Sequence, residues 1–371
     1  MKIGILTQPL HNNYGGLLQC YAMRIILKRM GHASVILRRV NSYSLYFRIK
    51  RFLYRSLKIK SNGFPYDFAQ KISIHTNAFV EKYIFTLSPL LNSTDKLAKE
   101  SNECEAFLVG SDQVWRPEFS PCIGNYFLDF TRGRKVHRVA YAASFGVDEW
   151  EFTDKQTEFC APLARMFDAV SVREDSAVYL CRKYFGVEAV HVLDPTLLLE
   201  REDYEALVVA EREEQSEGGL FCYVLDESAE KQSLVKRIAE QTGLIPFNCM
   251  PLLKPDGTEC SGQISDYIYP APTRWLRSFM DAEMVFTDSF HGCVFSIIFN
   301  KPFWVIGNKE RGMGRFTSLL SMFGLENRLI MSETFEQVDI FASIDWDKVN
   351  KERIEWQKKS MQFLIKALSG K

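Results

Sequence analysis

Residues 284–305 read MVFTDSFHGCVFSIIFNKPFWV. Three apolar residues run into Thr-Asp-Ser-Phe-His-Gly. An apolar segment then continues to Phe299, breaks at Asn300-Lys301-Pro302 and starts again. Short continuous apolar runs either side of a longer one form the pattern of strand, turn, helix and strand, with the strands covered on both faces. The spacing predicts a strand over 284–287, a helix over about 290–299 and a further strand over 302–306. Strands joined by a helix in this way run parallel.

The same alternation extends outward from this stretch. In the first half, strands are expected at residues 2–7, 34–37, 106–109, 136–142, 169–172 and 189–193. The turn HNNYGG (11–16) leads into a helix over 17–30. The second half restarts with a strand at 219–225, a helix over about 227–242 and a strand at 244–248. Between the halves lies EREDYEALVVAEREEQSEGG (200–219), acidic and ending in two glycines. The expected organisation is an α/β protein of two Rossmann-like, doubly wound domains facing a cleft, over 1–214 and 215–345. A final helix over 346–371 crosses back to the first domain.

Bulk properties set outer limits. A chain of 371 residues suits two domains better than one core. Lys+Arg and Asp+Glu both number 46, so no global charge points to nucleic acid. No run approaches the roughly 18 apolar residues of a membrane span, and the N-terminal apolar run reads as a strand rather than a leader. Nine cysteines stand singly with no Cys-x-x-Cys pair, which argues against a thiolate zinc site and for reduced thiols in a cytoplasm. Residues 41–60, NSYSLYFRIKRFLYRSLKIK, carry six basic residues and no acidic one. That segment is either a helix with a solvated basic face or an interfacial helix that meets anionic lipid or a phosphate-bearing acceptor.

Ligands of open α/β sheets bind beyond the carboxyl ends of the strands. The chain places there Asn13, Tyr14 and Gly15; Ser111, Asp112 and Gln113 in GSDQVW; Arg173 before Glu-Asp; Asp194-Pro195-Thr196; Ser289 and His291; and Lys309, Arg311 and Arg315 in GNKERGMGRF. Asp288 or Ser289 suits an N-cap, and His291 falls in the first helical turn, where backbone N–H groups and the helix dipole favour anions. The histidine can bind an anion or move a proton, or simply cap and pack. Arg173 and Arg315 can grip carboxylate or phosphate, or serve as ion pairs. Asp112 can act as acid or base, or close an Asx-turn. HNNYGG lacks the spacing of a dinucleotide fingerprint or P-loop. These residues together suit an anionic, phosphorylated small substrate.

Seven short segments, in this order, resemble the polysaccharide pyruvyl transferases. They are Asn13-Tyr14-Gly15 with Leu18-Gln19 and Tyr21-Ala22, GSDQVW (110–115), YFLDF (126–130), AYAASFG (140–146), SVRE (171–174), LDPTLLL (193–199) and TDSFHG (287–292). The resemblance spans nearly the whole chain. It implies a GT-B-like fold and transfer of a pyruvyl group from phosphoenolpyruvate to two sugar hydroxyls, forming a cyclic ketal and releasing phosphate. The acceptor would be a capsular, exopolysaccharide or wall polymer or its lipid-linked precursor at the inner membrane face, which the basic segment would suit. No metal or other cofactor is required.

Carried over by position, Arg173 matches the family's arginine after the fifth strand, and His291 matches its histidine before glycine. The resemblance gives Arg173, His291, Ser289 and Arg315 to phosphoenolpyruvate, with His291 as general acid and Asp112 as candidate base. Asn13, Tyr14, Gly15, Ser111 and Gln113 fall to the acceptor. Some relatives carry arginine where this chain has Ser289, and Arg315 is the substitute. Two other readings compete: a GT-B glycosyltransferase using a nucleotide sugar, and a non-catalytic carbohydrate-binding protein.

Overall fold

The computed structural model describes residues 1–42, 67–253, 262–307, 312–331 and 338–369. Most of the basic segment at 41–60, together with Lys309 and Arg311, lies outside the described residues.

Two parallel sheets form the framework. The first holds β1 (Lys2–Leu6), β2 (Ala33–Ile36), β3 (Ala106–Val109), β4 (His137–Ala143), β5 (Ala169–Val172) and β6 (Val190–His191), in the order β2-β1-β3-β4-β5-β6. The second holds β7 (Leu220–Tyr223), β8 (Pro246–Phe247), β9 (Met284–Thr287), β10 (Phe303–Ile306) and β11 (Leu329–Ile330), ordered β11-β10-β9-β7-β8. The central strands β3, β9 and β10 are buried at every residue, as their unbroken apolar sequences require. The connection reverses direction between β1 and β3 in one sheet and between β7 and β9 in the other. Strand β11 is only two residues long, too brief for its pattern to stand out in the sequence.

The helices that position the cleft are α1 (Tyr14–Arg29), α2 (Asp175–Leu180), α3 (Arg201–Glu211), α4 (Ala229–Thr242), α5 (Pro272–Asp281), α6 (Phe290–Ile298), α7 (Gly314–Ser321) and α8 (Trp346–Ser369). Helix α1 starts three residues before the expected Leu17. Asn13 Oδ1 accepts from Gly16 N at 3.1 Å, so Tyr14, Gly15 and Gly16 are its first turn rather than a loop. Side-chain capping outweighs the poor helix propensity of two glycines.

Two seams join the halves. In one, Tyr14 is 1% exposed, its ring stacks 5.6 Å from Trp275, and its hydroxyl donates to Pro270 O at 3.0 Å. In the other, Ser318 of α7 accepts from Asp175 N at 3.0 Å and lies 3.2 Å from His191 Nε2. Helix α8 packs on the first half: Ser360 Oγ accepts from Leu193 N at 3.0 Å, and Arg353 pairs with Glu200 at 2.8 Å. Among the described residues no helix is long and apolar enough to cross a membrane.

The Tyr14 seam sets a stability expectation. Tyr14→Ala should destabilise the protein by about 3–5 kcal/mol through the cavity left at the seam. Tyr14→Phe should lose only about 1 kcal/mol, the hydrogen bond alone. Urea unfolding followed by tryptophan fluorescence measures both, and equal midpoints for the two variants would contradict the packing role.

Candidate active site

Between the sheets lies a cavity of about 470 Å3. It draws Asn13 from the turn after β1; Asp112, Gln113 and Arg116 from the segment after β3; Asp226 from that after β7; Ser289, Phe290 and His291 from that after β9; and Arg315 from α7. The two points where strand order reverses therefore face one another, the place where an open α/β sheet binds ligands. The N-terminal residues of α1, α6 and α7 contribute to the same walls.

The polar break in MVFTDSFHGCVF now has a geometric account. Thr287 Oγ1 donates to Tyr223 O at 2.7 Å and accepts from Ser289 N at 3.0 Å, stitching β9 to β7 and setting the turn. Gly292 lets α6 approach: a Cβ there would lie 2.2 Å from Thr287 Oγ1. Asp288 is not a helix cap. Its Oδ1 accepts from Leu225 N at 2.7 Å, and its Oδ2 pairs with Lys231 Nζ at 2.6 Å, anchoring the segment after β7. Ser289 occupies the N-cap position without a side-chain capping bond, so its hydroxyl is not committed to the helix.

His291 is seated against the other half. A Cβ on Gly15 would come within 2.0 Å of its Nδ1, so only glycine in the first turn of α1 admits the ring. Its Nε2 stands 3.8 Å from Asp194 Oδ2, beyond hydrogen-bond length.

Arg173 lies behind the cavity rather than on it. It is 4% exposed, and its Nη1 donates to Asp194 Oδ2 at 3.2 Å while its Nη2 donates to Ser144 Oγ at 3.2 Å. Asp112 is 3.6 Å and Glu174 3.8 Å from the same guanidinium, and the Phe290 ring covers it at 4.3 Å. Burial works against its charge, but Asp112, Asp194 and Glu174 together push its pKa above the ordinary arginine value. The fork expected to hold the donor is thus engaged by protein groups, because Asp112 and Asp194 from other strand ends and the adjacent Glu174 lie around it.

Asp194 is the hub of this layer. Oδ1 accepts from Thr196 N at 3.0 Å and Thr196 Oγ1 at 2.7 Å, and Oδ2 also accepts from Ser111 Oγ at 2.9 Å. Burial favours its neutral form, yet His291, Arg173 and the Thr196 amide outweigh that and hold the carboxyl well below the usual aspartate range. The sequence placed Asp194 at a strand end without a role, since nothing in LDPTLLL tells which residues across the sheet it meets.

The remaining positions divide cleanly. Asn13, Asp112, Gln113, Ser289, His291 and Arg315 line the cavity. Ser111 is fully buried on Asp194, and Tyr14 is packed in the seam, so neither hydroxyl reaches a ligand there. Gly15 serves as the floor for His291. Asp112 holds φ = +70°, a left-handed conformation that aspartate tolerates, and its Oδ1 accepts from Gln113 N at 2.9 Å. Arg116, not singled out from the sequence, also lines the cavity, with a two-point contact to Glu151 at 2.9 Å. Burial, and then the neighbouring Arg173, pull the Arg315 guanidinium down to about 10. An anion entering the cavity would offset that penalty.

Among the described residues no group of three or more His, Cys, Asp or Glu is placed to hold a metal ion. Burial pushes the Cys20, Cys160, Cys222 and Cys249 thiols up to about 12, which makes them packing groups rather than nucleophiles.

The depressed Asp194 carboxyl carries a pH signature. A lowered folded-state pKa contributes stability that is complete above the unfolded value of about 3.9 and is lost as pH falls through the folded one. Between about pH 6 and pH 2.5, wild-type stability should therefore fall more steeply than that of Asp194→Asn. Urea titrations across that range test this, and parallel curves would show that the carboxylate does not carry the acid sensitivity.

A UDP-GlcNAc 2-epimerase from Neisseria meningitidis, solved with UDP-GlcNAc bound, has a similar structure: TM-score 0.50 at 10% identity, over 99% of this chain and 100% of that one. A UDP-GlcNAc 2-epimerase from Methanocaldococcus jannaschii gives TM-score 0.47 at 11% identity, over 100% of this chain and 99% of that one. A UGT transferase from Siraitia grosvenorii gives TM-score 0.43 at 10% identity, over 98% of this chain and 94% of that one. At such identities the likeness to the first is one of fold, the GT-B-like pairing of two parallel-sheet units. No curated protein matches the chain. The family model for polysaccharide pyruvyl transferase matches residues 13–310, a span that holds all seven sequence segments and every wall of the cavity except Arg315, so the chain belongs to the polysaccharide pyruvyl transferase family and is by that membership a transferase.

Proposed function

We propose that the protein transfers a pyruvyl group from phosphoenolpyruvate to two hydroxyls of a sugar, in a polysaccharide or its lipid-linked precursor, forming a cyclic ketal and releasing phosphate. The observation that carries this reading is the cavity itself. Arg315, Arg116 and His291 share its walls with Asn13, the N-cap of α1, and with the first turns of α6 and α7. Phosphoenolpyruvate bears a phosphate and a carboxylate, and cations with converging helix N-termini bind both.

The chemistry divides among residues as follows. His291 gives a proton to the methylene carbon of the donor, and positive charge develops at the adjacent carbon. One sugar hydroxyl attacks that carbon and releases its proton to Asp112. Phosphate then leaves with the bonding electron pair, and the second hydroxyl closes the ring and gives up its own proton. One proton is taken up and two are released; the released phosphate carries the balance. Arg315 neutralises the departing phosphate, and Ser289 Oγ offers a further donor at the N-terminus of α6. Arg173 acts from behind by holding Asp112 and Asp194 in place. Asn13 and Gln113 face the acceptor. The described cysteines form no disulfide, in keeping with a reducing compartment.

Melting of the purified protein with phosphoenolpyruvate, and in parallel with UDP and GDP sugars, tests the donor. A midpoint raised by phosphoenolpyruvate and unchanged by nucleotides is expected. A response to nucleotides alone would favour glycosyl transfer. His291→Ala should keep the fold and lower phosphate release by about 10²–10⁴-fold. Arg315→Lys should raise the apparent donor constant, since a point charge cannot reproduce the fork. An unchanged constant in that variant would remove Arg315 from the donor site.

A further inference from the structure

We infer that Asp194 is the positioning residue of His291: its buried carboxylate, supplied by the first half, sets the ring supplied by the second half in the attitude from which it serves the cavity. The inference rests on the pyruvyl-transfer reading for what the ring does, but not for how the ring is held.

Four observations converge on it. The Asp194 side chain is 0% exposed, and its Oδ1 is saturated by Thr196, which fixes the carboxylate plane. Its Oδ2, anchored by Ser111 Oγ at 2.9 Å and Arg173 Nη1 at 3.2 Å, is the carboxylate oxygen 3.8 Å from His291 Nε2. That Nε2 is itself buried and has no hydrogen-bond partner among the described residues. On the other side, Gly15 closes against Nδ1 and Cγ. The ring is thus wedged between the backbone of α1 and one carboxylate oxygen. A movement of about 1 Å turns the 3.8 Å approach into a charge-assisted hydrogen bond.

Other charged groups around the ring are accounted for. Asp288, three residues earlier in the same turn region, is engaged by Lys231 and two backbone amides. Arg315 and Asp112 share the cavity walls, and Arg173 reaches the ring only through Asp194. Asp194 is the group opposite Nε2. When the ring holds a proton, the carboxylate supplies the counter-charge; when it gives the proton up, the carboxylate still fixes the ring plane. Because the pair spans the two halves, the acid is assembled by their docking and not by either sheet alone.

The test follows the His291 ring by NMR in the protein without donor, with His291→Ala identifying its signal among the six histidines. Asp194→Asn removes a negative charge beside the ring, so the titration midpoint of the variant should lie below that of the wild type. In the turnover assay Asp194→Asn should lower phosphate release on the order of 10²-fold, with little further loss when it is added to His291→Ala. Gly15→Ala leaves the Asp194 contacts to Ser111, Arg173 and Thr196 in place but displaces the ring, and should lower both the midpoint and the rate; it serves if Asp194→Asn does not fold. An unmoved midpoint, or a full and independent loss in the His291→Ala background, overturns the inference. A shifted midpoint in a protein that releases no phosphate from phosphoenolpyruvate would instead leave the inference standing and overturn the proposed function.

Discussion

One buried guanidinium organises the carboxyl end of the first sheet. Arg173 leaves β5 and meets Asp112 from the segment after β3, Ser144 from that after β4 and Asp194 from that after β6. A lone arginine could not be held at that depth, and three clustered carboxylates would repel one another; each makes the other tolerable. Four strand ends are therefore locked in register by charge as well as by backbone pairing. The Phe290 ring, from the second half, roofs the cluster and keeps water off it.

This base shapes the electrostatics of what lies above. Its carboxylates face Arg173, while the cavity walls above carry the largely buried Arg315 and Arg116 and three helix N-terminal ends. A strongly negative framework thus sits beneath a surface that welcomes anions. The depressed Arg315 is the clearest sign of that arrangement, since a guanidinium moves so far only when dry and next to another cation. Lys231 and Asp288 play the corresponding bracing part in the second half, where a 2.6 Å ion pair holds the segment after β7.

Much of the architecture was legible because parallel strands buried on both faces leave unbroken apolar runs. Strands β3, β5 and β9 and the start of α6 fall where the pattern puts them. The site was legible in its membership more than in its orientations. Of the residues marked by position, Asp112, His291 and Arg315 line the cavity and Arg173 lies behind it, since periodicity cannot say which way a side chain turns. Arg173 turned inward, Tyr14 entered the seam, and Ser111 was drawn to Asp194. Gly15 shows the same limit. Beside Gly16 it reads as a loop, but its lack of a side chain is required by a ring 276 positions later in the chain, a non-local fact. Arg116 was hidden for a different reason, standing next to proline in a segment with no regular period.

Helix α8 returns the end of the chain to the half where it began, lodging Ser360 against Leu193 and Phe363 near Tyr141. The second half is therefore, in chain order, an insertion within the first. The first sheet can form early, but the surface that receives α8 stays uncovered until residues 346–369 are available to pack on it. Long-range closure of this kind slows folding and prolongs the exposure of apolar surface. Docking of Trp346–Ser369 on the first half is therefore the step that covers that surface.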